Sequence, residues 1–264
     1  MSRQHKPRKR FGQNFLIDQH VIGQIVAAIN PTPKDNLIEI GPGMAAITEH
    51  LVKLCPSMTL VELDRDLIEF LKQKLIDYPA VSIINSDALK TNFGALSQGD
   101  KMRLVGNLPY NISTPLLFHL LETREQIRDM HFMLQREVVD RLSAAPGQKS
   151  YGRLSVMIQY HCRVMPLIPV PPTSFSPAPK VQSAVVRLTP YSEVPYKAEN
   201  IKLLSQIVSL CFQQRRKTLK NCLNSFTEYL SPNSTSVDLT QRPEQLSVKE
   251  FVTLCNCIHQ NMAQ

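Results

Sequence analysis

The sequence predicts an α/β domain followed by a small all-α domain, and three observations carry this prediction. The chain has 264 residues, 43% of them hydrophobic, which is enough for two cores without disulfides or metals. From residue 37 to residue 188, short apolar runs alternate with longer amphipathic runs, as in successive β-α-β units. After Pro190 the alternation stops and apolar residues recur only at helical spacing. We therefore place a large domain at 1–190 and a small helical domain at 191–264.

The first part of the large domain contains four predicted strands and three predicted helices. Each strand is a run of four or five mainly apolar residues, short enough to be a buried strand of a parallel sheet. Each helix is longer and is apolar on one face only. In chain order these are strand 37–40, helix 45–54, strand 59–63, helix 66–76, strand 81–84, strand 102–105 and helix 113–121.

The rest of the chain gives two more strands and five more helices. The segment 166–179 contains so many prolines that it cannot be a helix, and we predict a loop there. The strands are predicted at 130–134 and 181–188, and the helices at 137–144, 154–160, 201–212, 218–223 and 248–258.

Basic residues outnumber acidic ones, and they are clustered. The 30 Lys and Arg against 22 Asp and Glu give a net charge of +8, which favours a polyanionic partner, although a charge run is often only a solvated surface. Two groups are dense in cations: Arg3, Lys6, Arg8, Lys9 and Arg10 near the amino terminus, and Arg215, Arg216, Lys217 and Lys220 in the helical domain.

The cysteines and the hydropathy exclude several classes of protein. The six cysteines are scattered without metal-ligand or redox spacing, so we expect reduced thiols and no metal site. No apolar run approaches membrane-spanning length, and the basic amino terminus lacks the apolar run of a signal peptide. We expect a cytoplasmic protein that does not enter a membrane.

A glycine-rich turn follows the first predicted strand. Gly41, Gly43 and Ala46 satisfy G-x-G-x-x-A, which lets the backbone approach a ligand at a helix amino terminus. Glu62 ends the next strand, 21 residues after Gly41, where an acid can accept both hydroxyls of a ribose. NAD and S-adenosylmethionine both carry that ribose, so these residues leave either cofactor open, and Glu62 alone could be a solvated strand-end acid.

Two further acids lie near the same predicted sheet edge. Asp87, after the third strand, can accept a hydrogen bond from an adenine amino group, or it can cap a turn. Glu39 lies two residues before Gly41 and suits a cationic sulfonium cofactor, or it caps local backbone donors.

The segment Asn107-Leu108-Pro109-Tyr110 distinguishes the two cofactors. It follows the fourth strand, at the sheet edge where open α/β folds bind ligands. The Asn107 side chain and the Pro109 carbonyl can accept hydrogen bonds from an exocyclic amine, and the Tyr110 ring can stack on a planar base. Alone it could be an ordinary turn before a helix. A hydride-transferring enzyme has no need of this segment, so we interpret it as an amine methylation site.

The chain closely resembles the KsgA family of ribosomal RNA adenine dimethyltransferases along nearly its whole length. Several independent motifs match in order: Lys9 to Leu16, Glu39 to Gly43, Glu62 to Asp64, Ser86 to Ala88, Asn107 to Leu120, Leu134 to Val139, Tyr151 to Val156, Phe175 to Val181 and Gln214 to Thr218. One position departs from the family, because Ala45 stands where a third glycine is usual. If that position needs a positive φ, alanine there costs about 1 kcal/mol or more.

The resemblance implies a Rossmann-like methyltransferase domain, with S-adenosylmethionine as cofactor. The substrate would be two adjacent adenosines in the 3′-terminal hairpin of 16S ribosomal RNA, dimethylated at N6 within the immature 30S subunit by a monomeric enzyme. Tyr110 and Phe175 would bracket the target base. The cofactor pocket would be lined by Asn14, Leu16, Gly41, Glu62, Asp87 and Asn107.

Three alternatives stay open at this point. The first is an assembly factor that binds the subunit without catalysis, which the departure at Ala45 makes harder to exclude. The second is an NAD-dependent oxidoreductase. The third is a methyltransferase of large-subunit RNA, which the Phe175 and Gln214 to Thr218 motifs disfavour.

Overall fold

A seven-stranded sheet, mostly parallel, forms the centre of the larger unit in the computed structural model, which describes residues 14–97, 99–230 and 235–263. Five strands run parallel in the order β4-β3-β2-β5-β6, and β9 is antiparallel to β6, with β7 at the edge. The strands are β2 (Asn36–Ile40), β3 (Thr59–Glu62), β4 (Ser82–Asn85), β5 (Met102–Asn107), β6 (Ile127–Gln135), β7 (Cys162–Val170) and β9 (Ser183–Pro190). This confirms the predicted α/β fold class.

A short two-stranded sheet joins the start of the described chain to a distant segment. Strand β1 (Phe15–Leu16) pairs antiparallel with β8 (Phe175–Ser176), placing Leu16 opposite Phe175. Both of these side chains are buried in one apolar core cluster. Neither strand was predicted from the sequence, because two-residue strands have no periodicity of their own.

Two of the helices around the sheet begin at side-chain caps. Asp18 accepts hydrogen bonds from the backbone N–H groups of His20 and Val21 at 3.1 and 3.2 Å, and Asp64 accepts one from Asp66 at 3.1 Å. The helices are α1 (Gln19–Ile29), α2 (Thr48–Leu54), α3 (Arg65–Lys74), α4 (Ser113–Leu121) and α5 (Arg136–Ser143). Helix α1 was not predicted, although its Asp18 cap and its apolar spacing are both legible in the sequence.

Several predicted boundaries differ from the structure, and two of the differences have a clear physical reason. The helix predicted from residue 45 begins at Thr48, because Ala45 has a φ of +65° and cannot belong to a right-handed helix. The first part of the predicted loop 166–179 is strand β7, which continues through Pro166 and Pro169. An edge strand tolerates prolines because its outer N–H groups have no partner to lose.

The described chain divides into two compact units. One contains the residues up to Val139 together with Met165–Pro190, and the other contains Asp140–Val164 together with the residues from Tyr191 onward. This differs from the predicted division at 190 in one segment, 140–164. Its helix α6 (Arg153–His161) packs on the helices of the second unit.

The second unit is built around helices α7 (Ile201–Gln213), α8 (Leu219–Cys222) and α9 (Val248–Met262). The Phe212 ring lies between Tyr151 and Phe251, with ring centres 6.1 and 5.8 Å away. Ser247 and Glu250 form a reciprocal cap at the start of α9. In the described ranges we find no helix whose length and apolar content would let it cross a membrane.

Candidate active site

A cavity of about 240 Å³ opens at the carboxyl ends of β2, β3, β4 and β5. Strand order reverses between β2 and β5, and open α/β sheets bind ligands at such a point. Eight of the nine predicted site residues line this cavity, and Phe175 is the exception. The eight are Asn14, Leu16, Gly41, Glu62, Asp87, Asn107, Pro109 and Tyr110. The lining also includes Phe15, Glu39, Gly43 and Leu108.

The glycine turn after β2 needs left-handed backbone at two positions. Gly41 and Gly43 have φ values of +68° and +56°. A Cβ at Gly43 would lie 3.4 Å from the Phe15 ring, which covers the turn. Sequence reasoning did not assign Phe15 to the site, because only the pairing of β1 with β8 brings this segment to the turn.

Ala45 also has left-handed backbone, with a φ of +65°. The residue is fully buried and belongs to the apolar core cluster, whereas its neighbours Met44 and Ala46 line the cavity. The methyl group therefore strains the backbone without narrowing the cavity.

Glu62 connects the glycine turn to the end of β3. Its Oε1 accepts from the N–H groups of Leu63 at 2.8 Å and Asp64 at 2.9 Å, and its Oε2 accepts from Gly43 N–H at 3.3 Å. Burial raises the pKa of this carboxyl, and the three backbone donors oppose the shift. Carboxylate oxygens accept more than one hydrogen bond each, so the bound backbone donors leave room for ribose hydroxyls.

Glu39 is 2% exposed and lines the cavity, and its Oε2 has no hydrogen-bond partner among the described residues. Burial raises the pKa of Glu39 to about 7, against the opposing effect of the Thr48 hydroxyl and with a contribution from the Glu62 charge. A buried carboxylate oxygen without a donor fits a cationic ligand such as a sulfonium.

Asp87 follows β4 in a turn. Its Oδ1 accepts from Leu89 N–H at 3.0 Å, so the turn-capping function is present. The second carboxylate oxygen, Oδ2, accepts no hydrogen bond from the residues that the structure describes, and Asp87 lines the cavity. Capping and ligand binding are therefore compatible at this residue.

Asn107 ends β5, and its amide orientation is set by a backbone carbonyl. The Nδ2 group donates to the Asn14 carbonyl at 3.1 Å. Because a carbonyl can only accept, the amide nitrogen must face it, and Oδ1 is left as an acceptor at the cavity. The arrangement suits an amino group as the ligand of Oδ1.

Tyr110 is held at both its backbone and its hydroxyl. The Tyr110 and Ser183 hydroxyls lie 2.8 Å apart, and Ser113 Oγ donates to the Tyr110 carbonyl at 3.1 Å. Ser183 is buried at the start of β9, so the contact joins the turn to the sheet. The ring is thereby held in one orientation at the cavity wall.

The Pro109 carbonyl, predicted to accept from an amine, already accepts the Ile112 N–H at 3.1 Å. One lone pair is left for a ligand. The preceding Leu108 carbonyl accepts no hydrogen bond within the described ranges, and Leu108 also lines the cavity. Leu108 is therefore a second candidate acceptor, which sequence reasoning missed because every residue carries the same carbonyl.

Phe175 does not line the cavity. It is 4% exposed and packs in the apolar core opposite Leu16 in the β1–β8 pair. The structure therefore brings Tyr110 to the cavity but not Phe175, because the strand pairing turns the Phe175 ring towards the core. In the described ranges no cluster of potential metal ligands occurs.

The chain was compared with known protein families, curated proteins and solved structures. The family model described as ribosomal RNA adenine dimethylase matches residues 4–260. The chain is 55% identical over 255 residues to "Ribosomal RNA small subunit methyltransferase A" of Saccharophagus degradans, which covers 96% of this chain and 95% of that protein. A protein of the same name from Hahella chejuensis is 52% identical over 256 residues, or 97% of this chain and 94% of that protein.

The fold has a solved counterpart. The crystal structure of a dimethyladenosine transferase from Plasmodium falciparum superposes with a TM-score of 0.79, at 24% identity, over 94% of this chain and 98% of that chain. This likeness confirms the Rossmann-like fold. With the family match over nearly the whole chain, it completes the identification: the chain is an S-adenosylmethionine-dependent methyltransferase acting on ribosomal RNA, and it belongs to the ribosomal RNA adenine dimethylase family.

Proposed function

We propose that this enzyme dimethylates N6 of two adjacent adenosines in the 3′-terminal hairpin of 16S ribosomal RNA. It acts in the cytoplasm, as a monomer, on the immature 30S subunit and so contributes to subunit maturation. The names of the relatives, which specify the small subunit, support this substrate. The chemistry of the site supports an exocyclic amine on a planar base, such as adenine N6, as the group that is methylated.

One observation carries the proposal: the turn after β5 presents an oriented acceptor and a held aromatic ring on one cavity. Asn107 Oδ1 is left as an acceptor because Asn14 holds the amide nitrogen, and Ser183 holds Tyr110. An exocyclic amine on a planar base matches both groups, since it donates hydrogen bonds beside a face that can stack.

Cofactor binding is assigned to the rest of the lining. Glu62 takes the ribose hydroxyls, Asp87 takes the adenine amino group, and Gly41 lets the backbone approach the ligand; Asn14, Leu16 and Asn107 complete the pocket. When bound, S-adenosylmethionine supplies an electrophilic methyl group. The orphan oxygen of Glu39 supports this fit, because it provides the negative charge that a sulfonium needs.

The protein promotes transfer by positioning, without a nucleophile or a metal. The N6 lone pair of adenine is delocalised into the ring and is a poor nucleophile in the planar form. Hydrogen bonds from N6 to Asn107 Oδ1 and to a carbonyl of Leu108 or Pro109 favour a more tetrahedral nitrogen with its lone pair directed at the methyl. No general base is required before attack, because the methylated nitrogen loses its proton readily.

The target base must leave its stack to enter the cavity. Stacking on Tyr110, worth about 1 to 3 kcal/mol, offsets an unstacking cost of a few kcal/mol. Because Phe175 is buried in the apolar core, a second stacking contact requires a rearrangement of β8. The pocket must also accept a monomethylated amine for the second transfer.

Asn107→Ala tests the assigned acceptor. We expect the methylation rate to fall by about 10² to 10³, because an oriented hydrogen-bond partner of the reacting group is removed. Cofactor affinity, measured by calorimetry, should change by less than about tenfold, since other residues hold most of the ligand. The matched control is Asn224→Ala, an exposed asparagine of the second unit, which should keep the wild-type rate. Near wild-type methylation by Asn107→Ala would contradict the mechanism.

The substrate is tested by incubating the enzyme with labelled S-adenosylmethionine and unmethylated small subunits, and then mapping the label. We expect label only at adjacent adenosines near the 3′ end of 16S RNA. Label in large-subunit RNA would overturn the substrate assignment. Subunit binding without label would favour the assembly factor, and thermal stabilisation by NAD alone would favour the oxidoreductase.

A further inference from the structure

Glu39 is the one cavity acid with a buried carboxylate oxygen that lacks a donor in the described ranges. Glu62 and Asp87, on the same cavity, each accept backbone N–H groups. Glu39 lies in the middle of the sheet, on β2, with β3 and β5 on either side. The position fits a binding site for a positively charged group.

The surroundings of Glu39 disfavour its ionised form in the empty pocket. The polar groups that act on it are the Thr48 hydroxyl of α2 and the Glu62 carboxylate of β3, and the second of these repels a negative charge. Burial adds the larger effect and raises the pKa of Glu39 to about 7. At neutral pH, protonated and ionised Glu39 are therefore both present before the cofactor binds.

We propose that Glu39 exchanges a proton with solvent during each methyl transfer: it loses the proton when the cationic cofactor binds and regains it when the neutral thioether product is left. Glu39 thereby favours the methyl donor over the spent product in the same pocket. This inference rests on the proposed methyl transfer and assigns Glu39 a function that no other residue of the site has.

The exchange conserves charge. In the transfer, the carbon–sulfur bond breaks with its electron pair staying on sulfur, a carbon–nitrogen bond forms from the N6 lone pair, and one N6 proton goes to solvent. The cofactor changes from cation to neutral thioether, and Glu39 takes back from solvent the fraction of a proton that it lost at binding. That fraction of the proton released overall therefore leaves at cofactor binding, and the remainder leaves at the transfer step.

Within this proposal, Glu39 pairs with the sulfonium and not with the ammonium of the cofactor's amino acid. Glu39 lies two residues before Gly41, and a Cβ on Gly41 would be 3.8 Å from the Asn107 carbonyl oxygen. Asn107 is where the acceptor amine must meet the methyl, so Glu39 lies on the strand that reaches the reacting centre. Because the ammonium is present in both cofactor and product, it would not distinguish between them.

The test measures proton release on binding. S-adenosylmethionine and S-adenosylhomocysteine are each titrated into the enzyme by calorimetry at pH 7, in two buffers of different ionisation enthalpy. We expect release of about half a proton with S-adenosylmethionine and none with S-adenosylhomocysteine. Affinity for S-adenosylmethionine should rise by about tenfold from pH 6 to pH 8, while that for S-adenosylhomocysteine stays flat.

Two variants complete the experiment. Glu39→Gln should abolish proton release and remove most of the preference for S-adenosylmethionine, while Glu69→Gln, an exposed glutamate of α3, should behave as wild type. Thermal unfolding of Glu39→Gln checks that the variant folds. Equal proton release with both ligands, or none with either, overturns the inference while leaving the proposed function intact. Failure to bind either ligand overturns the proposed function instead.

Discussion

At the scale of single residues, Ala45 changes the stability of the turn more than the shape of the site. A left-handed φ costs an alanine about 1 to 2 kcal/mol relative to right-handed backbone. The methyl group recovers about 0.8 kcal/mol by burial in the apolar core. Since the methyl does not line the cavity, the departure from the family's glycine is not an obstacle to cofactor binding.

Replacing Ala45 with glycine and with valine separates these effects. Ala45→Gly should change the free energy of unfolding by less than about 1 kcal/mol, because relief of strain is offset by reduced burial and by the greater entropy of glycine in the unfolded chain. Ala45→Val should destabilise by more than about 2 kcal/mol, since a β-branched side chain combines strain with overpacking. Urea unfolding measures both. A tenfold gain in cofactor affinity in Ala45→Gly would show that the methyl does obstruct the site.

At the scale of elements, Arg103 joins three pieces of secondary structure. It is 5% exposed on β5, donates to Asp129 of β6 at 3.1 Å and to Asp35 at 2.8 Å, and also donates to the Ile29 carbonyl at the end of α1 at 2.6 Å. These contacts lie at the amino ends of the strands, away from the cavity. The network therefore stabilises the sheet that positions the site.

Arg103→Met should destabilise the protein by about 3 to 5 kcal/mol, because two largely buried carboxylates lose the buried guanidinium that pairs with both. Burial opposes the lowering of both aspartate pKa values: the pKa of Asp35 is lowered by Arg103, the Thr32 N–H and Arg128, and that of Asp129 by His131 and Arg103. Their contribution is therefore present above the ordinary aspartate pKa of 3.8 and disappears as pH falls through the lower folded values.

The difference between wild type and Arg103→Met, measured by denaturant unfolding, should accordingly shrink between about pH 5 and pH 3. Arg128→Met is the matched control, since Arg128 meets Asp35 at 3.0 Å but is largely exposed, and its removal should cost about 1 kcal/mol or less. A difference that stays constant down to pH 3 would show that the carboxylates do not depend on Arg103.

At the scale of the whole molecule, the positive charge of +8 points to the phosphates of the substrate RNA. The cations clustered in the second unit differ, however, in their contacts and in their exposure. Arg215 donates to the Lys149 carbonyl at 2.8 Å and lies 3.7 Å from Glu244, whereas Arg216, Lys217 and Lys220 are exposed. The amino-terminal cluster lies outside the described residues, and its contact with RNA stays a prediction.

Substitutions in this cluster should therefore distinguish the residue that stabilises the fold from the residues that bind RNA. Replacing Arg216, Lys217 and Lys220 together by glutamine should lower the dependence of log affinity on log salt by about 0.7 to 0.9 for each phosphate that the variant no longer binds, with thermal stability unchanged. Arg215→Gln should instead lower thermal stability, because it releases two backbone carbonyls and Glu244. Filter binding to small-subunit RNA across a salt series measures the first effect. An unchanged slope in the triple variant would place the phosphate-binding residues elsewhere.

The sequence alone predicted much of the sheet and of the site. Short apolar runs at whose ends Gly41, Glu62, Asp87 and Asn107 lie or shortly follow predict parallel strands whose carboxyl ends meet, and the structure brings these residues to one cavity. Periodicity reports burial within one element, so helix 113–121 was predicted with the bounds that the structure has. The prediction from periodicity was wrong at β7, because periodicity does not report where a strand lies in the sheet. The prolines of β7 are tolerated only because the strand lies at the sheet edge.

The sequence by itself determined the fold class and the four strand-end positions, because these depend on residue type and on spacing along the chain, while the cofactor class followed from the family resemblance. Tertiary structure alone decided which groups are free to act: that Asn14 orients the Asn107 amide, that Ile112 already occupies the Pro109 carbonyl, and that the β1–β8 pair buries Phe175. These outcomes depend on contacts between segments far apart in the chain. Such contacts leave no periodic signal in the sequence. The lack of a hydrogen-bond partner for Glu39 Oε2 among the described residues leaves none either.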